Sequence, residues 1–551
     1  MRIWARRVIH DEVEKRIYYE DATFDFMGFP IAWTPYLSHP DPTVKRASGF
    51  LTPSIRQSGN YGIGLKVPYY WVIDDQSDVT LTPFITTEEG VIGELEYRRA
   101  FENGQLFFSG SVTRTDYTGE KGFEGHVETA GLFQLDNKIK WGWNIAATSD
   151  DAYLRRFDFS NEDRLTSEIF TNRYREDGFF DIAGVKFQSL RRNEPAGKIP
   201  VVLPDFSARQ EYADPWAGGE FGFTASSYGL FRNEGRDVGR ISIGADWERR
   251  EILPFGLELT GFAEVRGDAY LISDDLSFTD DFSLRLAPTA GIEARYPFIW
   301  DESGGASHVI EPIVQAILAP YGGNGPDIPN EDSRIVEFDE TNLFARSHFS
   351  GIDGFEEGPR LNLGLQYERL SDDGLKLDAT VGRVFRFRDA MEFTAGSGLR
   401  NANSDWVASW GVGYLPYFNI RQRLRVDDEF SITRDEVLAS LTYGPASLQT
   451  GYIFLESDPL IGALKDRQEV QARASLQVDD NWSGTAFIQR DLELSEFVAV
   501  GGTISYAHDC CQVELFVRRR FTSSIGAPAS TSFGIQIELL TLGTSQVGGK
   551  R

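Results

Sequence analysis

The sequence predicts an all-β fold: a large antiparallel transmembrane β-barrel of the outer-membrane type, with about 26 strands. Three observations carry that prediction. Apolar and polar residues alternate in stretches of about ten residues, the length that crosses a bilayer when tilted. The connections are short at one rim and longer at the other. No apolar run approaches the roughly 18 residues of a membrane-crossing helix.

The alternation is clearest toward the C-terminus. In LKLDATVGRVFRFR (375–388), Leu375, Leu377, Ala379 and Val381 share one face, with Lys376, Asp378 and Thr380 on the other. VQARASLQV (470–478) and FGIQIEL (533–539) repeat the pattern. Barrel strands are apolar on alternate residues only, so a mean hydropathy of −0.31 is compatible with a membrane barrel.

The connections choose between a barrel and a soluble sandwich. HDCC (508–511), DDNW (479–482) and YGPA (443–446) are short, whereas ESDPLIGALKDRQ (456–468) and FTSSIGAPAST (521–531) are long. That asymmetry is the habit of outer-membrane barrels. A short turn near Thr433–Glu436 falls on the long-loop side. The longest irregular stretch, at about 320–360, is expected to fold inward and fill part of a wide lumen.

Composition narrows the function classes. Lys+Arg 55 against Asp+Glu 83 leaves a net charge of −28, which argues against nucleic-acid binding. The opening MRIWARRVIHDEVEKRIYYED has no apolar core and is not a secretory signal as written. G-x-S-x-G, H-E-x-x-H, Walker A and C-x-x-C motifs are all missing from the sequence. GNYGIGLK (59–66) sits in strand-like alternation, outside the strand–turn–helix setting a nucleotide loop needs. Asp150-Asp151 and Asp372-Asp373 read as solvated loop tips rather than cation sites. The expectation is a protein that is not an enzyme and has no cofactor and no metal site.

Two prolines and two cysteines stand out. GFLTPSIRQS (49–58) and IGLKVPYYWVI (63–73) form the expected first hairpin, with Pro53 and Pro68 inside its strands. Proline has no N–H to donate and belongs at edges and bulges. The two residues read either as an imperfect edge or as a deliberately weakened seam. In a closed barrel the first strand pairs with the last, at about 531–540, which places Ile55 near Ile535. Tyr69, Tyr70, Trp71, Trp141 and Trp143 are candidates for interfacial girdles. Cys510 and Cys511 are the only cysteines. Neighbouring α-carbons lie about 3.8 Å apart, against the roughly 4.4–6.8 Å of a relaxed disulfide. The pair is therefore inert, or each sulfur finds a partner elsewhere.

Three stretches then resemble one family. FDFMGFPIAWTPYLSHPDPTVKRASGFLTPSIRQSGNYGIGLKVPYYWVIDDQSDVTLTPFITTEEG (24–90) resembles the LPS-assembly LptD (OstA) family at the junction of jellyroll and barrel. NLFARSHFSGIDGFEEGPRLNLGLQY (342–367) resembles a second family segment, with His348 and Gly354 where members usually carry Arg. The cysteine pair with FGIQIELLTLG (533–543) is the third. The resemblance implies an outer-membrane barrel preceded by the remnant of a periplasmic β-jellyroll, with residues 1–46 as remnant and 47–551 as barrel. It implies lipopolysaccharide as cargo, an LptE-like lipoprotein plug, and a periplasmic LptA-like bridge reached through the jellyroll domain. It also implies a lateral gate between the first and last strands. Pro53 and Pro68 fall on the family's gate prolines, and Cys510 and Cys511 on a pair that bridges to jellyroll cysteines. None of residues 1–46 is a cysteine, so the expectation is a truncated chain or a mis-set start. The alternative is a passive porin or diffusion channel, which shares the alternation but needs neither seam prolines nor a cysteine pair.

Overall fold

In the computed structural model the described residues are 2–26, 28–41, 43–44, 46–115, 122–135, 138–191, 194–214, 217–274, 281–508, 511–522 and 528–538. Strands with an apolar outer face have edges that must be paired, and a lipid environment offers no water to do it. Closure meets that need. The strands form one antiparallel ring in which the last, Ser530–Glu538, pairs with the first. Three strands are each written in two segments: Gly49–Phe50 with Ser54–Ser58, Gly62–Lys66 with Tyr69–Val72, and Phe282–Arg295 with Phe298–Glu302. Counting each such strand once, the described ring has 26 strands, as the sequence predicts. The breaks fall at Pro53, Pro68 and Pro297, where the ladder loses a donor.

Exposure alternates in the sense of a membrane barrel. On the strand Asp237–Ile252, Ile241 and Ile243 are 60% and 67% exposed while Arg240 and Ser242 beside them are buried. On Phe282–Arg295, Phe282, Leu284 and Leu286 face outward, and Ser283, Arg285 and Ala287 are covered within the lumen. Apolar side chains turned out and guanidinium groups turned in invert a soluble core and suit a hydrocarbon surround. At the short-turn end, Phe101, Phe133, Trp141 and Trp143 stack with ring centroids 4.9–5.8 Å apart, in the manner of an interfacial girdle.

Connections are short at one rim, as at 102–103, 176–177 and 444–445, and long at the other, as at 149–163, 190–200, 319–359 and 387–405. One expected turn moves. Thr433–Glu436 lies within the strand Ile432–Tyr443, and the turn is at 427–431. Asp427 makes it: its Oδ1 accepts the backbone N–H groups of Glu429 and Ser431, while Phe430 takes a φ of 62°.

Ahead of the barrel is a four-stranded sheet. Its central strand Arg16–Phe26 pairs with Phe29–Pro40 on one side and with Arg7–Asp11 and Arg2–Trp4 on the other. The segment leading to the barrel is tied down by Arg46, which meets Asp78 at 2.6 Å and donates to the Asp75 carbonyl at 2.7 Å.

Candidate lateral seam and lumenal lid

The ring closes through a short ladder. Ser54–Ser58 faces Ser532–Gln536 in five residue pairs, with Ile55 directly opposite Ile535. The neighbouring junction, between the strands Cys511–Arg520 and Ser530–Glu538, has nine pairs. Among the described residues, no part of the last strand pairs with Gly49–Phe50. Among the described residues, closure is therefore confined to the long-loop half of the seam.

Pro53 sits where the ladder stops. Phe50 opposes Tyr69 and Ser54 opposes Lys66, which leaves Leu51, Thr52 and Pro53 against Val67 and Pro68. The extra residue is a bulge, and Pro53 cannot extend the closing ladder toward the short-turn rim. Pro68 lies in the break of the second strand, where its carbonyl accepts from Leu51 N–H at 2.9 Å. Both prolines, expected inside continuous strands, occupy interruptions instead, because each removes a ladder donor.

Inside the barrel, two side-chain bridges cross the seam. Phe516 reaches over Gly534 of the last strand toward Arg56 of the first, with the guanidinium 5.9 Å from the ring centre. A Cβ on Gly534 would meet that ring at 2.6 Å, so only glycine leaves room for the contact. The second bridge is Asp158. Its Oδ2 accepts from Tyr61 Oη at 3.3 Å and from Ser532 Oγ at 3.2 Å. Ser532 in turn faces Ser58 across the seam.

Asp158 arrives on the loop 149–163, which folds into the lumen around a short helix, Tyr153–Arg156. Asp150, one of the acidic pairs seen in the sequence, accepts the N–H groups of Ala152 and Tyr153 and so starts that turn. Tyr153, Leu154 and Phe157 bury themselves against Tyr61, Phe84 and Ile92 on the inner wall. Arg156 is covered too, and meets Glu124 at 2.8 Å. The loop thus seats Asp158, which takes a left-handed φ of 57°. The enclosing wall pushes its carboxyl up from the usual range, partly offset by the bonds from Ser532 and Tyr61 and the charges of Arg520 and Arg56.

The loop 319–359 forms a lumenal lid, as its length suggested. Asp353 is fully buried and accepts from Tyr228 Oη at 2.8 Å and Arg240 at 2.5 Å on the inner wall. Arg285 donates to the carbonyls of Ile352 and Asp353. Further round the ring, Glu340 meets Arg423 at 3.0 Å. Glu356 is the buried centre, bonded to His348 at 2.8 Å and Arg386 at 2.5 Å, with Arg360 at 3.3 Å. Burial alone would raise its pKa, but Arg360, His348 and Arg386 hold the carboxyl well below its ordinary 4.5. His348 is thus a partner of Glu356. Gly354 has no space for a side chain, since a Cβ there would meet the Phe349 ring at 2.5 Å. Below the lid a polar cavity of about 430 Å³ is lined by Glu248, Arg250, Glu293, Arg295, Glu311 and Arg346, among others.

Cys510 lies outside the described residues. Cys511 opens the strand Cys511–Arg520, its backbone opposite His508 at the short-turn rim. Asp158, Tyr61, Arg56 and Phe516 were not legible as seam residues, because no local motif marks them.

A closed antiparallel ring with an apolar outer face, a polar lumen under an inward-folded lid and an abbreviated closing ladder defines an outer-membrane β-barrel. Comparison with known proteins makes the assignment specific. The chain belongs to the LptD family: the family model described as LPS transport system D matches residues 123–482. LPS-assembly protein LptD of Nitrosococcus oceani is 25% identical over 98% of this chain and 73% of its own length. The protein of that name from Idiomarina loihiensis is 25% identical over 75% of this chain and 56% of its own. That of Yersinia pestis bv. Antiqua is 23% identical over 98% of this chain and 75% of its own. The chain spans between 55% and 75% of the length of such relatives.

Proposed function

We propose that this barrel inserts lipopolysaccharide into the outer leaflet of the outer membrane. The acyl chains leave through a lateral gate between the first and last strands, and the glycan passes through the lumen. The observation that carries this reading is the closing ladder, which among the described residues has five pairs and stops beside Pro53. An amphiphile cannot draw a large polar headgroup through hydrocarbon, because unpaired polar groups cost several kcal/mol each to bury. A polar lumen joined to a seam that opens sideways removes that cost. The barrel supplies no energy, so the drive comes from a periplasmic LptA-like bridge upstream.

An LptE-like lipoprotein plug is the expected lumenal partner, and the space left beneath the lid is where such a plug would seat. The sheet Arg2–Pro40 is read as the end of the periplasmic jellyroll. Cys510 and Cys511 are read as the docking point for that domain, on the side of the membrane where disulfides form. The test is a disulfide across the seam between Ile55 and Ile535, in a background where both native cysteines are serine. Complete cross-linking is expected to abolish surface delivery of lipopolysaccharide, and undiminished delivery would refute the gate.

A further inference from the structure

Among the described residues of this acidic barrel, a group of arginines at the seam stands largely without ion pairs. Residues directly opposite in an antiparallel ladder share a face. On the lumenal face of the seam, Arg520 stands opposite Ser530, Arg518 opposite Ser532, and Arg56 opposite Gly534. The other face carries Val517, Phe533, Leu515 and Ile55, all about half exposed, as a lipid-facing surface should be. Arg155 of the inward loop adds a further guanidinium within electrostatic reach of Arg520.

The arginines have little to neutralise them. Among the described residues neither Arg56 nor Arg518 makes an ion pair, in contrast to Arg240, Arg285 and Arg386 around the lid, which do. Among the described residues, Arg520 donates to the Pro528 carbonyl and Arg155 to that of Glu162. The floor between them is small: Ser58, Ser530, Ser532 and Gly534. Glu514, on the same face of the wall, stands lower, opposite Gln536. Asp158 is a carboxylate set within reach of the charges of Arg520 and Arg56, and it belongs to a loop rather than to the wall.

Planar guanidinium groups around a small-residue floor suit a phosphate, whose oxygens accept paired N–H bonds and whose charge exceeds that of one carboxylate. We propose that the lumenal face of the seam is a phosphate-binding site, filled in the closed barrel by Asp158 as an internal anion. A phosphomonoester on an amphiphile's headgroup displaces Asp158 from its place near the charges of Arg520 and Arg56. It thereby breaks the Tyr61–Asp158–Ser532 bridge that ties the inward loop to the last strand, so that binding and unlatching are one event. The identity of the amphiphile rests on the translocon reading; the anion site rests on the arginines.

The test uses the full chain in lipid nanodiscs with three probes: a bis-phosphorylated acyl-glucosamine disaccharide, the same glycolipid without phosphates, and inorganic pyrophosphate. The phosphorylated glycolipid is expected to bind at least tenfold more tightly than its dephosphorylated form, and R56Q/R518Q to lose that preference. D158N removes no cation and leaves every ladder pair in place, and it is expected to tighten binding several-fold. Pyrophosphate binding that depends on the same arginines, with no gain for the lipid, would support the phosphate chemistry and assign the site to a free anion. Equal affinity for the two glycolipids, or unchanged affinity in D158N, overturns the proposal. If that happens while the Ile55–Ile535 cross-link still blocks delivery, the site alone is lost. Delivery through a cross-linked seam with the binding preference intact removes the translocon reading and spares the site.

Discussion

Ile535 stands opposite Ile55 on one side and opposite Leu515 on the other. The same residue therefore touches a junction proposed to open and a junction with no reason to. Directly opposed residues bring Cβ atoms to about 4.5–5.5 Å, close enough for a disulfide after a small adjustment. With Cys510 and Cys511 replaced by serine, I55C/I535C is expected to stop delivery. L515C/I535C, cross-linked to the same extent, is expected to leave it near the parental rate. Equal inhibition by both would mean that the cross-link harms the barrel generally. Surface accessibility of newly made lipopolysaccharide, with and without reductant, reads the difference.

Pro53 acts on the same ladder from its lower end, and Pro68 on the junction between the first two strands. Pro53→Ala with Pro68→Ala restores two N–H donors at the interruptions, and a ladder hydrogen bond contributes about 0.5–1.5 kcal/mol. A bond gained at Pro53 should make opening about twofold to tenfold rarer, while one gained at Pro68 firms the pairing of the first strand with the second. The double variant is expected to fold normally, keep its heat-modifiable migration on a gel, and deliver lipopolysaccharide several-fold more slowly. A normal rate would show that the prolines are tolerated irregularities rather than a weakening of the seam.

The barrel was legible because its signal is periodic. Alternation of the kind seen in 375–388 fixes which residues face lipid, and closure of the ring then forces the first strand onto the last. That is why Ile55 and Ile535 could be paired without coordinates. What escaped depended on contacts that sequence distance hides. Asp158 and Ser532 are 374 positions apart, and nothing near Asp158 distinguishes it from any other loop carboxylate. The turn at 427–431 was misplaced because an aspartate side chain, not glycine or proline, makes it. The bulge at Leu51–Pro53 needed the registers on both sides of the break.

The lid depends on Glu356, which is buried with Arg360, Arg386 and His348. Removing one member of a buried ionic cluster leaves the others uncompensated, at a cost of about 3–5 kcal/mol. Glu356→Gln keeps the shape but discards the charge that two guanidinium groups share. The loop 319–359 is expected to lose amide protection, and the barrel to admit large hydrophilic antibiotics, while the wall strands stay protected. Hydrogen exchange resolved by segment separates that outcome from global unfolding. Unaltered protection across the loop would show that the Asp353 contacts suffice without Glu356.

The same cluster fixes how the lid answers to acid. Glu356 is held well below its ordinary value of 4.5, and Asp332, pushed up by burial but drawn down further by Arg240, ends below 3.8. A carboxylate whose pKa is depressed on folding stabilises the folded state fully above the unfolded value and loses that contribution only as pH falls through the folded one. Both anchors are therefore intact from pH 8 to about 5 and weaken only well below 4.5. Glu392 works in the opposite sense. Burial raises it by more than the bond from Glu357 N–H lowers it, so the folded state binds that proton more tightly and gains as pH falls. Mild acid should leave the lid closed or slightly firmer. Conductance of the barrel in a planar bilayer is expected to stay low and flat from pH 8 to 5 and to rise only below about pH 4. An increase between pH 7 and 5 would mean that the Glu356 cluster is not what holds the lid.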